Sequence, residues 1–367
     1  MKKRAFIIST FLSVSLMLTG CSWDEIRAKF TGEDLSVSGS AVVVEDYDAT
    51  ECVTLPEYKG IEVDCTVSDD EIQSEINAFL SQNATEKKIK KGTCKEGDAV
   101  NIDFVGKIDG KEFDNGSAQD QTITLGSSGY IDGFDDGIIG MKVGEEKDIN
   151  VTFPEDYGKD ELNGKPAVFT ITLNYISETI EAELTDELVA EKTEQKTVAE
   201  YKEATKERLV KEKKDSVGET AYGQLNDETE VKKYPESLLT IAKGQLDIYY
   251  KGMATQYGYS DFNSFLSAMQ MDEASYNESL QKAAESIAKT QLIAEAVAAK
   301  ENITVTDEEV KNEIASMSEQ AGQTEEQFRT SFEEYYGGLL TIERYYQTTL
   351  LTNKVVDFVG ENAAIKE

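Results

Sequence analysis

The sequence predicts an α+β protein, an antiparallel sheet module followed by an all-α module, and three observations carry that prediction. Between Asp98 and Ile176, short runs alternate apolar and polar residues: Val100, Ile102, Phe104; Ile149, Val151, Phe153; then Val168 to Tyr175. Such alternation marks strands with one buried face. The runs are punctuated by Asp109-Gly110, Asn115-Gly116 and Val143-Gly144, pairs suited to tight turns between strands. From about Glu181 the alternation stops, proline occurs once, at Pro235, and apolar residues recur at helical spacing.

Composition narrows the chemistry. The 367 residues leave room for two or more domains with real cores. Lys and Arg number 37 against 71 Asp and Glu, for a formal charge of −34. That balance argues against binding nucleic acid, or an anionic membrane, through a basic surface. Two readings of the charge stand side by side: it keeps a binder of unfolded chains soluble, or it reflects a generally acidic setting. The acidic clusters Glu45-Asp46 and Asp69-Asp70-Glu71 do not have EF-hand spacing, so no metal site is assigned. The chain has no histidine, which excludes Ser-His and Cys-His catalysis and histidine-ligated metals.

Met1 to Arg4 is basic, and Ala5 to Leu18 is apolar apart from Ser and Thr. The run is short for a bilayer-spanning helix, so residues 1–20 read as a signal peptide. Its ending, Leu18-Thr19-Gly20-Cys21, resembles a bacterial lipoprotein signal, which implies cleavage before Cys21 and lipidation of its thiol. The other reading is an ordinary signal peptide with a chance cysteine. The lipoprotein reading places the chain at the cell membrane, lipid-anchored on the extracytoplasmic face. Residues 21–54 read as an acidic tether. Residues 55–95 read as a strand around Tyr58-Lys59-Gly60-Ile61 and a linker helix, opened by a Ser68–Glu71 capping box and carrying Ile72, Ile76, Phe79 and Leu80. Cys52, Cys65 and Cys94 make either one disulfide and one thiol or three thiols, and no C-x-x-C motif is present.

Residues 96–178 hold four motifs in order. Phe104 to Asp114 reads F-x-G-x-x-D-G-x-x-F-D, and Leu125 to Phe134 reads L-G-S-S-G-Y-I-D-G-F. Gly140 to Glu146 reads G-M-K-V-G-E-E, and Phe153 to Tyr157 reads F-P-E-D-Y. Together they resemble the FKBP-type peptidyl-prolyl isomerase domain in the variant carried by the trigger factor chaperones. The resemblance implies a small curved antiparallel sheet wrapped on a short helix, with an aromatic pocket for the substrate proline and no cofactor. It implies Phe134 as the pocket floor, Phe104, Phe113 and Phe169 as walls, and Tyr130 and Ile131 as the rim. The Ile131 amide would hold a substrate carbonyl, and Asp114 and Tyr157 would face the twisting imide. Without the resemblance, the same aromatics read equally as a barrel core.

Residues 179–367 read as helical. Thr197–Glu200 and Thr306–Glu309 frame capping boxes, and a helix begins at Pro235. Lys289 to Val310 and Leu350 to Val359 resemble parts of the trigger factor C-terminal chaperone domain, implying an extended all-α domain that holds unfolded chains. Tyr249, Met253, Tyr257, Phe262 and Phe265 lie in an aromatic and methionine-rich stretch. That stretch reads either as an adaptable client surface or as ordinary helix packing, and so does the group Tyr335, Tyr336, Tyr345 and Tyr346. Two function classes follow. One is a membrane-anchored extracytoplasmic isomerase and foldase, which twists X-Pro bonds of unfolded exported proteins without covalent catalysis. The other is a non-catalytic holdase whose FKBP-like module is a client-docking scaffold. The expected partners are unfolded or nascent exported polypeptides and, through the lipid, the membrane. Nucleic acid is not expected, given the charge of −34, nor is the ribosome, since no G-F-R-x-G-K-x-P-like loop accompanies the motifs and the chain reads as exported.

Overall fold

The computed structural model describes residues 42–259 and 261–367. The expected signal peptide, Cys21 and most of the expected tether lie outside the described residues. The described chain forms two compact units: residues 67–208, and residues 42–66 together with 209–367. Among the described residues no helix is long and apolar enough to cross a membrane.

The second of these units begins with a helical turn α1 (Ala49–Cys52), strand β1 (Val53–Thr54) and strand β2 (Glu62–Asp64). Ala49, Cys52 and Val53 are buried against Leu238, Ala288 and Leu292. Tyr58, Val63 and Cys65 join a core with Tyr222, Ile293 and Val359. The expected tether over residues 42–54, and the strand expected to lead into the sheet module, are therefore corrected. Both belong to the helical unit. Only Glu62–Asp64 of the latter is a strand, because the hydrogen-bonding partners of this segment lie at the far end of the chain.

The sheet unit follows: α2 (Asp69–Gln82), β3 (Thr85–Ile89), β4 (Ala99–Ile108), β5 (Lys111–Thr124), α3 (Phe134–Ile138), β6 (Glu146–Thr152), β7 (Pro166–Ile180) and α4 (Asp186–Lys192). The capping box at α2 forms as its sequence requires, with Ser68 and Glu71 each taking the other's backbone N–H. Strand order is β3-β7-β4-β5, with β6 also on β7, and every pairing is antiparallel. β7 shows why the alternation was legible: Ala167, Phe169, Ile171 and Leu173 are buried at every second position. Asp109 (φ 50°) and Gly110 (φ 78°) form the two-residue turn between β4 and β5. Asn115-Gly116 does not end a strand. It lies within β5, where the register jumps from Glu112 opposite Lys107 to Ser117 opposite Val105. The positive φ of Asn115 (62°) makes a bulge there instead of a hairpin. α3 packs into the same core as the strands, and its Gly137 lies so close to β6 that a Cβ would sit 2.6 Å from Ile149.

Helix α5 (Val198–Asp215) begins in the sheet unit and ends in the helical unit, whose bound lies at residue 209. The helical unit continues through α6 (Val217–Glu228), β8 (Glu230–Val231), α7 (Glu236–Gln256), α8 (Phe262–Ala268), α9 (Glu273–Glu301), α10 (Asp307–Gln320), α11 (Glu325–Tyr336), α12 (Ile342–Glu361) and β9 (Ala364–Lys366). It is not wholly helical. β1 pairs antiparallel with β8, and β2 pairs parallel with β9. Tyr58 and Lys59 both bond Glu301, at 2.7 and 2.9 Å, and Lys366 pairs with Asp64. Capping boxes form at Thr306–Glu309 and at Thr324–Gln327. At Thr197 only half of the box exists: Glu200 N–H bonds Thr197, but the Glu200 carboxylate takes the N–H of Lys196. Cys52, Cys65 and Cys94 are all buried free thiols. α6 and α12 meet at Gly218 and Gly360, where a Cβ on Gly360 would sit 2.6 Å from Gly218 Cα.

Gly360→Ala is therefore expected to destabilise the helical unit by about 1–3 kcal/mol through overpacking, read as a lowered midpoint in urea. A second expectation concerns pH. Lys354 holds the Glu309 carboxyl down at about 2, against an ordinary 4.5, with the N–H of Thr306 adding to the effect. A carboxyl depressed in the folded state stabilises fully above its unfolded value and loses that contribution as pH falls through the folded value. Stability measured from pH 4.5 down to 2 should thus fall less steeply in Glu309→Gln, which keeps the capping geometry without the charge.

Candidate active site

The site is built where β4, β5, α3 and β7 converge. Phe104 lies on β4 and points inward by strand alternation. Phe169 does the same on β7, beside Gly106 in the β4–β7 register. A Cβ on Gly106 would lie 2.6 Å from the Phe169 ring and 2.9 Å from that of Phe113, so glycine lets both rings close over the strand. The β5 bulge brings Phe113 in, its ring so close to Gly116 that a Cβ there would meet it at 2.6 Å. Gly133 takes a left-handed φ of 85° and turns the chain into α3. This delivers Phe134, fully buried, as the first helical residue.

The rings form one connected cluster. Phe134 meets Phe104 at 5.6 Å and Phe169 at 5.3 Å, both edge-on. Phe113 meets Phe169 edge-on at 6.0 Å, and Tyr130 stacks on Phe134 at 4.5 Å. Such pairs contribute about 0.5–1.5 kcal/mol each beyond their buried area. Above them opens a cavity of about 520 Å³, lined by all eight residues singled out in the sequence: Phe104, Phe113, Asp114, Tyr130, Ile131, Phe134, Tyr157 and Phe169. Tyr130 and Tyr157 are 40% and 43% exposed at its mouth, and Asp114 is exposed at its edge. Burial raises the Tyr130 phenol above its ordinary pKa, so the hydroxyl stays protonated.

Eight further residues line the cavity, among them Phe153, Lys159 and Leu162, which were given no pocket role in the sequence. Phe153 stands between Phe113 (5.7 Å) and Tyr157 (4.8 Å) and links the wall to the mouth. Leu162 closes the side, and Lys159 brings a cation to the lining. Phe153 was legible as a strand residue and as the start of F-P-E-D-Y, but neither gave it a place in the pocket. Leu162 and Lys159 sit in the 153–165 loop, whose base is tied by Phe153 N–H to Lys165 O (3.0 Å). Nothing in their spacing marks them. Among the described residues, no group of three or more His, Cys, Asp or Glu could hold a metal ion.

The helical unit treats its aromatic stretch differently from expectation. Phe262 and Phe265 are buried with Ala254 and Tyr276, so the client-binding assignment is corrected at these two. Ordinary packing has taken them. Tyr249 and Tyr257 are 39% and 70% exposed, and Met253 is half-buried against the same cluster. Tyr336 and Tyr346 are core residues beside Phe332, with Tyr335 and Tyr345 packed against them. A separate cavity of about 360 Å³ lies among α6, α7, α9 and α12, lined by Tyr222, Ile241, Ile287, Leu340 and Tyr345 together with threonines of α12. No sequence signal marks it, since its walls come from elements far apart in the chain.

An open aromatic cavity at the start of a short helix, wrapped by an antiparallel sheet, defines a peptidyl-prolyl isomerase module. Residues 90–174 match the family described as FKBP-type peptidyl-prolyl cis-trans isomerase, and residues 175–361 match the bacterial trigger factor protein C-terminus. The trigger factor of Halothermothrix orenii is 34% identical over 92% of this chain and 78% of its own length. That of Acetivibrio thermocellus is 32% identical over 91% and 76%. A solved structure of the trigger factor chaperone overlaps 84% of this chain and 72% of its own, at 17% identity and a TM-score of 0.41, a likeness too loose to argue from. The chain belongs to the trigger factor family and carries an FKBP-type peptidyl-prolyl isomerase domain joined to a chaperone domain.

Gly106→Ala tests the wall geometry. Displacing the Phe113 and Phe169 rings by a methyl group is expected to lower isomerase kcat/KM by about ten- to a hundredfold, with the midpoint of unfolding measured alongside.

Proposed function

We propose that the chain is a lipid-anchored foldase of the extracytoplasmic membrane face, twisting X-Pro bonds of unfolded exported proteins in the aromatic cavity. The observation that carries the catalytic part is the ring cluster around Phe134. The barrier to X-Pro isomerisation is about 18–20 kcal/mol and comes from loss of amide resonance. No bond to carbon breaks, so no nucleophile is needed. The twisted imide is less polar than the planar one, so an apolar floor of Phe134 between Phe104 and Phe169 favours it over the ground state. Phe113 completes the wall against the proline ring. Tyr130 and Ile131 form the rim, with the Ile131 N–H holding a substrate carbonyl. Asp114 and Tyr157 stand where a polar group can bond the rotating imide.

The anchoring part rests on the sequence alone: a basic start, an apolar run and Leu18-Thr19-Gly20-Cys21. An acyl chain contributes about 0.8 kcal/mol per buried CH₂, and more than one chain is needed for stable attachment. The exposed Tyr249 and Tyr257, with the half-buried Met253, give the helical unit an apolar surface to offer to clients.

Purified chain with a proline peptide tests the catalytic part. Accelerated cis/trans exchange, lost in Asp114→Ala and Phe134→Ala, is the expected result. Removing the Phe134 ring costs about 3–5 kcal/mol of core packing, so the exposed Asp114 is the cleaner variant. No acceleration, with suppression of client aggregation intact, would select the holdase. For the anchor, Cys21→Ala is expected to end fatty-acid labelling and to move the protein from the membrane to the soluble fraction. An unchanged distribution would remove that part of the proposal.

A further inference from the structure

Asp135 follows the pocket floor directly and does not line the cavity. Its half-buried carboxylate binds the loop that carries the rim. One oxygen, Oδ2, accepts the N–H of Gly126 at 2.8 Å and that of Ser128 at 3.2 Å. The other, Oδ1, accepts the Ser128 hydroxyl at 2.5 Å. The Ser128 Oγ in turn accepts the N–H of Tyr130 at 3.2 Å. The Ile131 carbonyl takes the Phe134 N–H at 3.1 Å. Loop residues 126–131 are thus fastened at one end to α3 by Asp135 and at the other by the helix's own first amide.

The loop cannot hold this shape by propensity alone. Gly126, Gly129 and Gly133 all take positive φ, at 91°, 76° and 85°, and glycine loses more conformational freedom on ordering than any other residue. What fixes it is a charge-assisted set of bonds to one carboxylate, stronger than neutral bonds of the same length. The consequence lies at the mouth of the cavity. The Tyr130 amide is engaged by Ser128, while the next amide, Ile131, forms no hydrogen bond within the described residues. Tyr130 is held with its ring stacked on Phe134.

We infer that Asp135 is a positioning residue for the isomerase reaction: it orients the 126–131 loop so that the Ile131 N–H and the Tyr130 ring are ready to receive the peptide. This rests on reading the cavity as the proline site. A carbonyl held at the rim is held in the ground state and in the twisted state alike. Loss of the orienting bonds therefore weakens binding more than turnover.

The experiment is steady-state isomerase kinetics on the full chain, with amide NMR of Ile131 during peptide titration. Asp135→Ala, which removes both acceptor oxygens, is expected to raise KM by about tenfold, the size of one lost substrate hydrogen bond, with kcat within about twofold. Asp135→Asn, which keeps one acceptor, should fall between the two. The peptide-induced shift of the Ile131 amide should shrink in the same order. An unchanged KM in Asp135→Ala, or a loss of kcat at constant KM, overturns the inference. Should that variant fail to fold, Ser128→Ala decides. It cuts only the branch to Tyr130, and a KM rise of about threefold supports the inference while an unchanged KM defeats it. Asp114→Ala, at the exposed edge of the cavity, separates the two claims. If activity survives that change, the cavity is not the proline site and the underlying reading falls. If activity is lost there and KM is unmoved in Asp135→Ala, only the positioning role falls.

Discussion

Phe134 occupies the first position of a five-residue helix with its side chain fully buried, and the rings of Phe104 and Phe169 stand edge-on against it. The rest of the sheet unit follows from the need to keep that ring there. β4 and β7 lie side by side because each supplies one wall. Gly106 and Gly116 are glycines because Phe113 and Phe169 sit where their Cβ atoms would be. Gly137 is a glycine because the helix must press onto β6 to seat its first residue. One core serves as both the structural centre of the unit and the floor of its cavity. This explains why its aromatics read equally well from sequence as packing and as a pocket. They are both.

The helical unit solves a different problem. Its two ends are drawn together: β2 pairs with β9, residues 62–64 beside 364–366, and Tyr58 and Lys59 clasp Glu301. Loop closure over such a separation costs entropy that grows only slowly with length, and buried Tyr58, Val63 and Cys65 offset it. A glycine contact between α6 and α12 lets the segments that carry these contacts approach closely. The unit is therefore held from both ends, and its surface leaves Tyr249 and Tyr257 exposed while Phe262 and Phe265 are buried.

How much of this was legible in the sequence depended on the distance over which each feature is encoded. The strands, the Asp109-Gly110 turn and the capping boxes at Ser68 and Thr306 are local, and their residues declare them. All eight residues assigned to the pocket do line one cavity, because four ordered motifs fix their relative positions. Asn115-Gly116 has the composition of a hairpin turn but makes a bulge, since the alignment of β5 on β4 decides between the two. The parallel β2–β9 pair was unreadable because its two strands are short and lie at opposite ends of the chain. Phe262 and Phe265 look like Tyr257 in sequence; only the packing of α8 on α9 buries the first two and leaves the third exposed. Asp135 was hidden for another reason. Its partners are mainly backbone amides, which leave no side-chain signature.

The central claim is that the cavity over Phe134 binds the X-Pro unit in its twisting state. The most direct measurement is NMR exchange spectroscopy on a proline peptide with the full chain, combined with mapping of the protein resonances that the peptide shifts. The account predicts exchange between cis and trans peptide signals well above the uncatalysed rate, with the largest shifts at the Ile131 amide and the rings of Phe134, Phe113 and Tyr130. Uncatalysed exchange, or shifts confined to the helical unit around Tyr249 and Tyr257, would contradict it.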